Sequence, residues 1–591
     1  MSRSAIFRFK EKEVAVNTLL MEVEMNIAGM LHIPDSRYCF ALSQKELVIR
    51  LRVAKEDKDI TVNLVHGPKY GYHEFQEELE MSVAYTDHTH AYYETTLTLD
   101  DVRLAYIFKI EEEGQTYYFS EDGLTTSYDF SNGFYNFFQM PYINAVDVHQ
   151  VIPWTKDAVF YQIFVDRFNR GDWEKDDSYV NMDWLEKPTP KSFAGGDLRG
   201  ITEKLDYLKD LGINVIYLTP IFQSISNHKY DISDYYAIDP QFGTKYDLQE
   251  LIDLAHQMGI KIILDAVFNH ASSDAVEFQD VLRYGKESKF FDWFMTHDEH
   301  PSMELVNYET FAGCNYMPKW NTSNRDVQDY LIEIGRYWIK EFGIDGWRLD
   351  VSDEVSHDFW RRFRQAVKAE KADAILIGEN WHDAYPYLAG DQYDGIMNYA
   401  FTKACLDYFA FETMTSKQLA EKLSNILMRN TWQVNRMNLN LLDSHDTHRF
   451  FTQVKGSKDK LLAALALLFT FMGIPCLYYG TEVAMEGGYD PDSRRGFPWD
   501  DAERDKDFFS KVKAIIALRQ QPALQEGAIS IDHDGDCFIL RRSLGEQSIT
   551  LVLNNGESAY PIKDKGQVLT GNGVDIENAQ LLQGGYVVMS N

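Results

Sequence analysis

IKIILDAVF (residues 260–268) and IDGWRLDV (344–351) decide how this chain of 591 residues is read. Each is a short apolar run that finishes on charged or polar side chains. Six more runs share the pattern: AVFYQIFV (158–165), INVIYLTP (213–220), AILIGEN (374–380), YDGIMNY (393–399), MNLNLLDSHD (437–446) and IPCLYYG (474–480). Amphipathic helical stretches such as 248–257 and 327–342 lie between them. Eight strands alternating with helices predict an α/β fold, a closed (β/α)8 TIM barrel over residues 151–521. The stretch 271–318 is longer than an ordinary connection and predicts a small subdomain inserted after the third strand.

Outward from the barrel the rhythm changes to the two-residue alternation of strands. Residues 1–125 contain LVIRLRV (47–53), ITVNLV (60–65) and YYETTLTL (92–99), which predict an N-terminal β-sandwich joined to the barrel by a linker at 126–150. CFILRR (537–542) and SITLVLNN (548–555) predict a C-terminal β-sandwich over 522–591. LLAALALLFTFMGIPCLYY (461–479) is charge-free and close to bilayer-spanning length. Gly473 and Pro475 interrupt it, so it reads as a buried helix (461–472), a tight turn and a buried strand (476–479).

Lys and Arg number 58 against 91 Asp and Glu, a formal net charge of −33. Such a surface repels phosphate backbones and anionic lipid, so neither nucleic acid nor membrane is expected as a partner. A neutral sugar is indifferent to that field, and 11 Trp, 35 Tyr and 36 Phe supply flat faces for its rings. The five cysteines (39, 314, 405, 476, 537) are odd in number, scattered and without a CxxC pair, which speaks against a disulfide framework or a zinc ribbon. MSRSAIFRFKEKEV (1–14) offers no apolar targeting stretch, and a cytoplasmic protein is expected.

Polar residues gather where the runs end: Asp265, Asn269 and His270; Arg348 and Asp350; Glu379; His445 and Asp446. In a barrel of this kind the C-terminal strand ends form one face, so these distant residues converge on one pocket. A lone acid after a strand is more often a helix cap. Several carboxylates with an arginine and imidazoles, but no thiolate cluster and no glycine-rich phosphate cradle, point to glycoside hydrolysis, in which one carboxylate attacks or activates water and another protonates the leaving oxygen.

DAVFNH (265–270), GWRLDVSDE (346–354), GENW (378–381) and LLDSHD (441–446) resemble, in order, the four signature regions of the α-amylase family. MPKWNTSN (317–324) resembles the region that marks its cyclomaltodextrinase, neopullulanase and maltogenic amylase group, and NHKYDISDYYAIDPQFG (227–243) and GGYDPDSRR (487–495) fit as well. The resemblance implies a retaining α-glucan hydrolase acting on α-1,4 bonds, with α-1,6 bonds as an additional target, in cyclodextrins, maltooligosaccharides and pullulan, with some transglycosylation. It implies Asp350 as nucleophile, Glu379 as general acid/base and Asp446 as the third carboxylate. His228, Asp265, His270 and His445 are implied to bind sugar hydroxyls or hold their neighbours, Tyr230 to stack at the cleaved bond, and Arg348 to keep Asp350 ionised. Trp381 and Glu354 are implied to face the leaving-group side, and Asp490 and Arg494 to close the non-reducing end.

By the same resemblance no organic cofactor is required, and the N-terminal domain forms a homodimer. Asn169, Asp172, Asp176, Gly195 and Asp197 offer hard oxygen ligands for a structural calcium ion, although Arg170 and Lys175 intrude on that loop. Three positions depart from the family pattern: Asp443 stands where Gly is usual, Thr481 where Asp is usual, and Ser352-Asp353 replaces Ala-Asn. Asp443 is expected to raise carboxyl pKa values near Asp446 by like-charge repulsion. The alternatives to hydrolysis are a transglycosylase or isomerase using the same intermediate, and a carbohydrate-binding protein without turnover.

Overall fold

The computed structural model describes residues 25–500, 502, 504–563 and 566–591. The segment 1–14, read above as lacking a targeting stretch, lies outside the described residues.

Eight short parallel strands, β1 (Phe160–Ile163), β2 (Val215–Leu218), β3 (Lys261–Ala266), β4 (Gly346–Leu349), β5 (Ile375–Gly378), β6 (Gly395–Ile396), β7 (Leu439–Leu441) and β8 (Ile474–Tyr478), each lie inside one of the eight runs. They neighbour one another in the order β6-β5-β4-β3-β2-β1-β8-β7. A parallel bridge between Met397 and Leu439 joins the two ends, and the Asn398 N–H donates to the Leu439 carbonyl at 2.8 Å. The barrel is therefore closed.

Strand periodicity of two decides what points inward. Phe160, Val215, Ile263, Ile375, Leu439 and Ile474 pack together inside the barrel. Two residues beyond three of them, on the same face, stand Gln162, Tyr217 and Asp265, and Asp265 is in register with Arg348 of β4. The alternation that fills the barrel's lower layers with apolar side chains thus delivers polar ones to its C-terminal end.

The surrounding helices are set by caps and by apolar spacing. Lys245–Gln257 starts with a capping box between Thr244 and Asp247. Arg325–Phe342 starts at Asn324 and stops at Gly343, whose φ of 76° suits glycine. Its Val327, Leu331, Ile334 and Trp338 recur every three or four residues and are buried, each contributing about 1.5–3 kcal/mol against the unfolded chain. The charge-free stretch forms a helix, Lys458–Thr470, buried on all sides from Leu461 onward between barrel and C-terminal sheet, then turns at Gly473 into β8. Among the described residues no helix is long and apolar enough to cross a membrane.

After β3 the insertion carries one helix, Val276–Tyr284, and isolated bridges pairing Thr296 with Tyr308 and Thr310 with Pro318. Phe278 packs edge-on against Phe294 and Tyr308, with ring centres 4.8 and 4.9 Å away. A bridge from His270 to Lys319 ties the base of this insertion to the end of β3.

Antiparallel strands from Cys39 to Met140 form the N-terminal sheet around Val62, Leu64, Tyr106 and Phe108. Within 126–150, Phe138–Met140 adds a strand to it, with both end residues buried. The sheet docks on the barrel through Arg50, which lies 4.9 Å over the Trp432 ring, donates to the Asn430 carbonyl at 2.8 Å and pairs with Glu94 at 2.6 Å. Six antiparallel strands between Ala528 and Ser590 make the C-terminal sheet.

Candidate active site

One guanidinium organises the C-terminal mouth of the barrel. Arg348 Nη1 donates to Asp265 Oδ1 and Oδ2, both at 3.0 Å, and to Asp350 Oδ1 at 2.7 Å, while Nη2 lies 2.9 Å from Glu379 Oε2. All four side chains are nine-tenths buried or more. Burial disfavours the charged form of a carboxylate, and the adjacent cation opposes it. Burial pushes Asp350 well above the usual carboxylate range and Asp265 to about 6, with Arg348 opposing in both cases. Arg348 alone therefore does not hold Asp350 ionised as the sequence led one to expect, because burial of the carboxylate outweighs the adjacent cation.

The two oxygens of Asp350 differ. Oδ1 is anchored by Arg348, and Oδ2 is buried without a hydrogen-bond partner among the described residues. Both oxygens of Asp265 and both of Glu379 have donors: Tyr217 and Tyr230 reach Asp265 Oδ2 at 2.6 and 2.9 Å, the Trp381 indole reaches Glu379 Oε1 at 3.2 Å, and the Val351 N–H reaches Glu379 Oε2 at 2.9 Å. Val351 holds that last contact from a left-handed conformation, φ 43° and ψ 45°, which is costly for a β-branched residue. Gly378 precedes Glu379 because a Cβ there would fall 2.6 Å from the Tyr393 ring.

A proton-ordered chain crosses the mouth. The Gln162 side-chain N–H donates to His445 Nδ1 at 2.7 Å, which leaves the imidazole hydrogen on Nε2 to donate to Tyr230 Oη at 2.6 Å, and Tyr230 in turn donates to Asp265. Burial, then Arg494 and Arg348, hold His445 well below the usual imidazole range, so it stays neutral as this chain requires. Its ring lies parallel to Tyr230, with centres 5.4 Å apart.

The remaining expected residues take distinct places. Asp446 is partly exposed; Arg494 Nη2 approaches its Oδ1 at 3.4 Å, while Arg494 Nη1 pairs with Asp490 at 2.9 Å. His228 and His270 are both pushed down to about 3, chiefly by burial. His270 stacks on Phe311 at 4.9 Å, and its Nε2 has no partner. Trp381 is 45 % exposed and stacks on Tyr399 with ring centres 3.7 Å apart. Glu354 stands at the exposed rim, paired with Lys319 at 3.0 Å.

Two departures from the family pattern meet in space. Thr481 Oγ1 donates to Asp443 Oδ1 at 3.3 Å, and Asp443 Oδ2 accepts the Phe450 N–H at 2.8 Å. Burial raises the Asp443 carboxyl, Arg449 opposes this, and the side chain is engaged with these groups rather than with Asp446. Ser352 Oγ donates to the Glu379 carbonyl at 2.7 Å, which ties the loop after Asp350 to the end of β5.

The calcium expectation meets an ammonium instead. Lys175 Nζ lies 2.8 Å from each of the Gly195 carbonyl, Asp197 Oδ2 and the Gln241 carbonyl. Asp197 also accepts N–H bonds from Gly171, Asp172 and Gly200. The Asp172 and Asp176 carboxylates turn to the N–H groups of Glu174 and Ser178, and the Asn169 amide donates to the Gly200 carbonyl. The five residues do not fit a calcium ion, because the lysine already neutralises the oxygen cluster. Among the described residues no group of three or more His, Cys, Asp or Glu is disposed to hold a metal.

Gln162, Tyr217, Tyr399 and Val351 belong to the site and escape the sequence reading. Gln162 has a visible signal, since it is the lone polar residue of an apolar strand. Tyr217 and Tyr399 read as core, and no sequence signal marks the conformation of Val351.

The α-amylase catalytic domain matches residues 162–525, and the α-amylase N-terminal Ig-like domain matches residues 25–144. The chain belongs to the α-amylase family of glycoside hydrolases. It is 44 % identical over 534 residues to a cyclomaltodextrinase of Thermoanaerobacter pseudethanolicus, covering 89 % of this chain and 92 % of the relative. It is 39 % identical over 543 residues to neopullulanase 2 of Thermoactinomyces vulgaris, covering 90 % and 91 %. A solved cyclomaltodextrinase superposes with a TM-score of 0.88 at 37 % identity, covering 95 % of this chain and 98 % of that one.

Proposed function

We propose that this family member is a cyclomaltodextrinase-type enzyme that hydrolyses α-glucosidic bonds with retention in cyclodextrins, short maltooligosaccharides and pullulan, including α-1,6 bonds and some glycosyl transfer. The observation that carries the assignment of roles is the asymmetry of Asp350, one oxygen anchored by Arg348 and the other without a protein donor. Asp350 Oδ2 attacks the anomeric carbon as the glycosidic C–O bond breaks. Glu379 gives a proton to the departing oxygen, and the glycosyl group is left on Asp350 as an ester. Water, deprotonated by Glu379, then breaks that ester, and the proton count is restored; a sugar hydroxyl in place of water gives transfer.

Asp446 holds substrate hydroxyls as charge develops on the ring, and His228, His270 and His445, neutral through burial, donate and accept hydrogen bonds without adding charge. Tyr230, fixed by its bonds to Asp265 and His445, presents its face at the cleaved bond. Trp381 and Glu354 line the leaving-group side, and the Arg494–Asp490 pair closes the other end. The chain works in the cytoplasm and needs no calcium. The N-terminal domain exposes Tyr70, Phe75, Phe134 and Tyr135 outside its strands, which support its role in a homodimer that narrows the cleft to small glucans.

Incubation with β-cyclodextrin, pullulan and soluble starch in parallel, with an Asp350→Asn control, tests the reading. Maltose or panose from the first two, slow release from starch and an inert variant support it. No turnover of any of them would favour a carbohydrate-binding protein, and products longer than the substrate as the main yield would favour a transferase.

A further inference from the structure

On the N-terminal face of the barrel, opposite the active site, lies a second cavity of about 200 Å³. Residues just before β1, β7 and β8 form one wall, and residues 524–526 and Arg542 of the C-terminal region form the other. Three arginines line it: Arg436, Arg519 and Arg542. Arg519 is 2 % exposed and Arg542 1 %.

Their hydrogen bonds go to backbone carbonyls. Arg542 donates to Gly527 at 3.0 and 3.2 Å and to Thr470 at 3.2 Å, Arg519 to Leu524 at 3.2 Å, and Arg436 to Glu526 at 3.2 Å. The Nε atoms of Arg436 and Arg519 are buried with no acceptor among the described residues. Among the described residues none of the three forms an ion pair, and the one carboxylate in the lining, Glu526, stands at the exposed mouth 3.7 Å from Lys156. Buried cations are ordinarily paired. In a chain of net charge −33 these three, with Lys156 beside them, meet among the described residues only the through-space fields of Asp157 on Arg519 and of Glu526 on Arg436, which leaves a local positive field that a bound anion would neutralise.

We infer that this cavity is a binding site for a small oxyanion of the phosphate class. The volume is several times the roughly 30 Å³ share of one water and below the range of about 300 Å³ upward typical of larger organic ligands, so it suits one phosphate with its hydration. Guanidinium forks match phosphate oxygens. Burial and the repulsion of Arg519 and Arg436 push Arg542 down to about 9, and burial pushes Arg519 down to about 10, a penalty that a bound anion relieves. Because the three side chains come from separate segments, the anion would pin the C-terminal sheet to the barrel floor.

Titration of the full-length chain with sodium phosphate, followed by calorimetry and by thermal unfolding against sodium chloride of equal ionic strength, tests this. The expected result is one saturable site per chain and a midpoint that climbs with phosphate and not with chloride. Binding should weaken at least tenfold in Arg436→Gln and in Arg519→Met. Arg436 is only partly buried, so its variant keeps the fold, which unchanged β-cyclodextrin hydrolysis verifies, and it decides the question even if Arg519→Met fails to fold. A parallel titration with glucose 6-phosphate distinguishes the source: tighter binding than phosphate assigns a sugar phosphate, equal or weaker binding assigns inorganic phosphate. No saturable phosphate binding, equal binding by Arg436→Gln, or an equal effect of chloride would overturn the inference.

Discussion

Arg348 Nη1 donates to Asp350 Oδ1 at 2.7 Å and so turns that carboxylate until only Oδ2 is without a protein donor. The same guanidinium reaches Asp265 and Glu379, which makes it the positioning residue of the whole cluster. Arg348→Gln keeps a donor and removes the charge. It should lower kcat on β-cyclodextrin by about 10²–10³-fold, as loss of a preorganised electrostatic partner does. Three buried carboxylates then lack their cation, and denaturant unfolding should show a loss of about 3–5 kcal/mol.

Val351 spends conformational energy to hold its N–H on Glu379 Oε2. Glycine adopts φ 43° without that penalty, so Val351→Gly should raise stability by about 1 kcal/mol in thermal or denaturant unfolding. Activity should fall about tenfold, because the released backbone no longer fixes Glu379. A variant both less stable and fully active would contradict this reading.

His270 is neutral in the fold, with its pKa pushed down to about 3, and titrates near 6.5 when unfolded. Between those values the unfolded chain binds the extra proton, so the stability His270 contributes is complete above about pH 6.5 and is lost as the pH falls. In His270→Gln that loss is absent. The stability difference between wild type and variant should therefore shrink by about 1.4 kcal/mol for each pH unit below about 6.5, measured by urea unfolding across pH 7 to 5.

Lys175 occupies the place expected of calcium. Chelator treatment should change neither activity nor thermal midpoint. Lys175→Met leaves the buried Asp197 carboxylate without its cation and should cost about 3 kcal/mol by denaturant titration. A midpoint that drops with chelator and returns with calcium would refute the ammonium's role.

The fold was legible because each barrel strand is a short apolar run ending in polar residues, down to the two-residue β6. Asp265, Arg348, Asp350, Glu379 and His445 come together as expected, since strand alternation fixes which residues point into the mouth. Tyr217 was not legible, because one buried hydroxyl in an apolar strand looks the same whether it serves the core or the site, whereas Gln162, a lone amide in such a strand, carried a signal that did not say what it serves. Lys175 was visible as an intruder in the loop that offers calcium ligands, but only folding brings Gly195, Asp197 and Gln241 around its ammonium. The Arg436, Arg519 and Arg542 cavity draws on three separate segments with no motif in any of them.

The central claim is attack by Asp350 with retention, and the anomeric form of the first product tests it most directly. Proton NMR of β-cyclodextrin opening, recorded before mutarotation sets in, should show the new reducing end as the α-anomer, with the β-anomer growing in later. A β-anomer appearing first would mean single displacement by water, and Asp350 would not be the nucleophile.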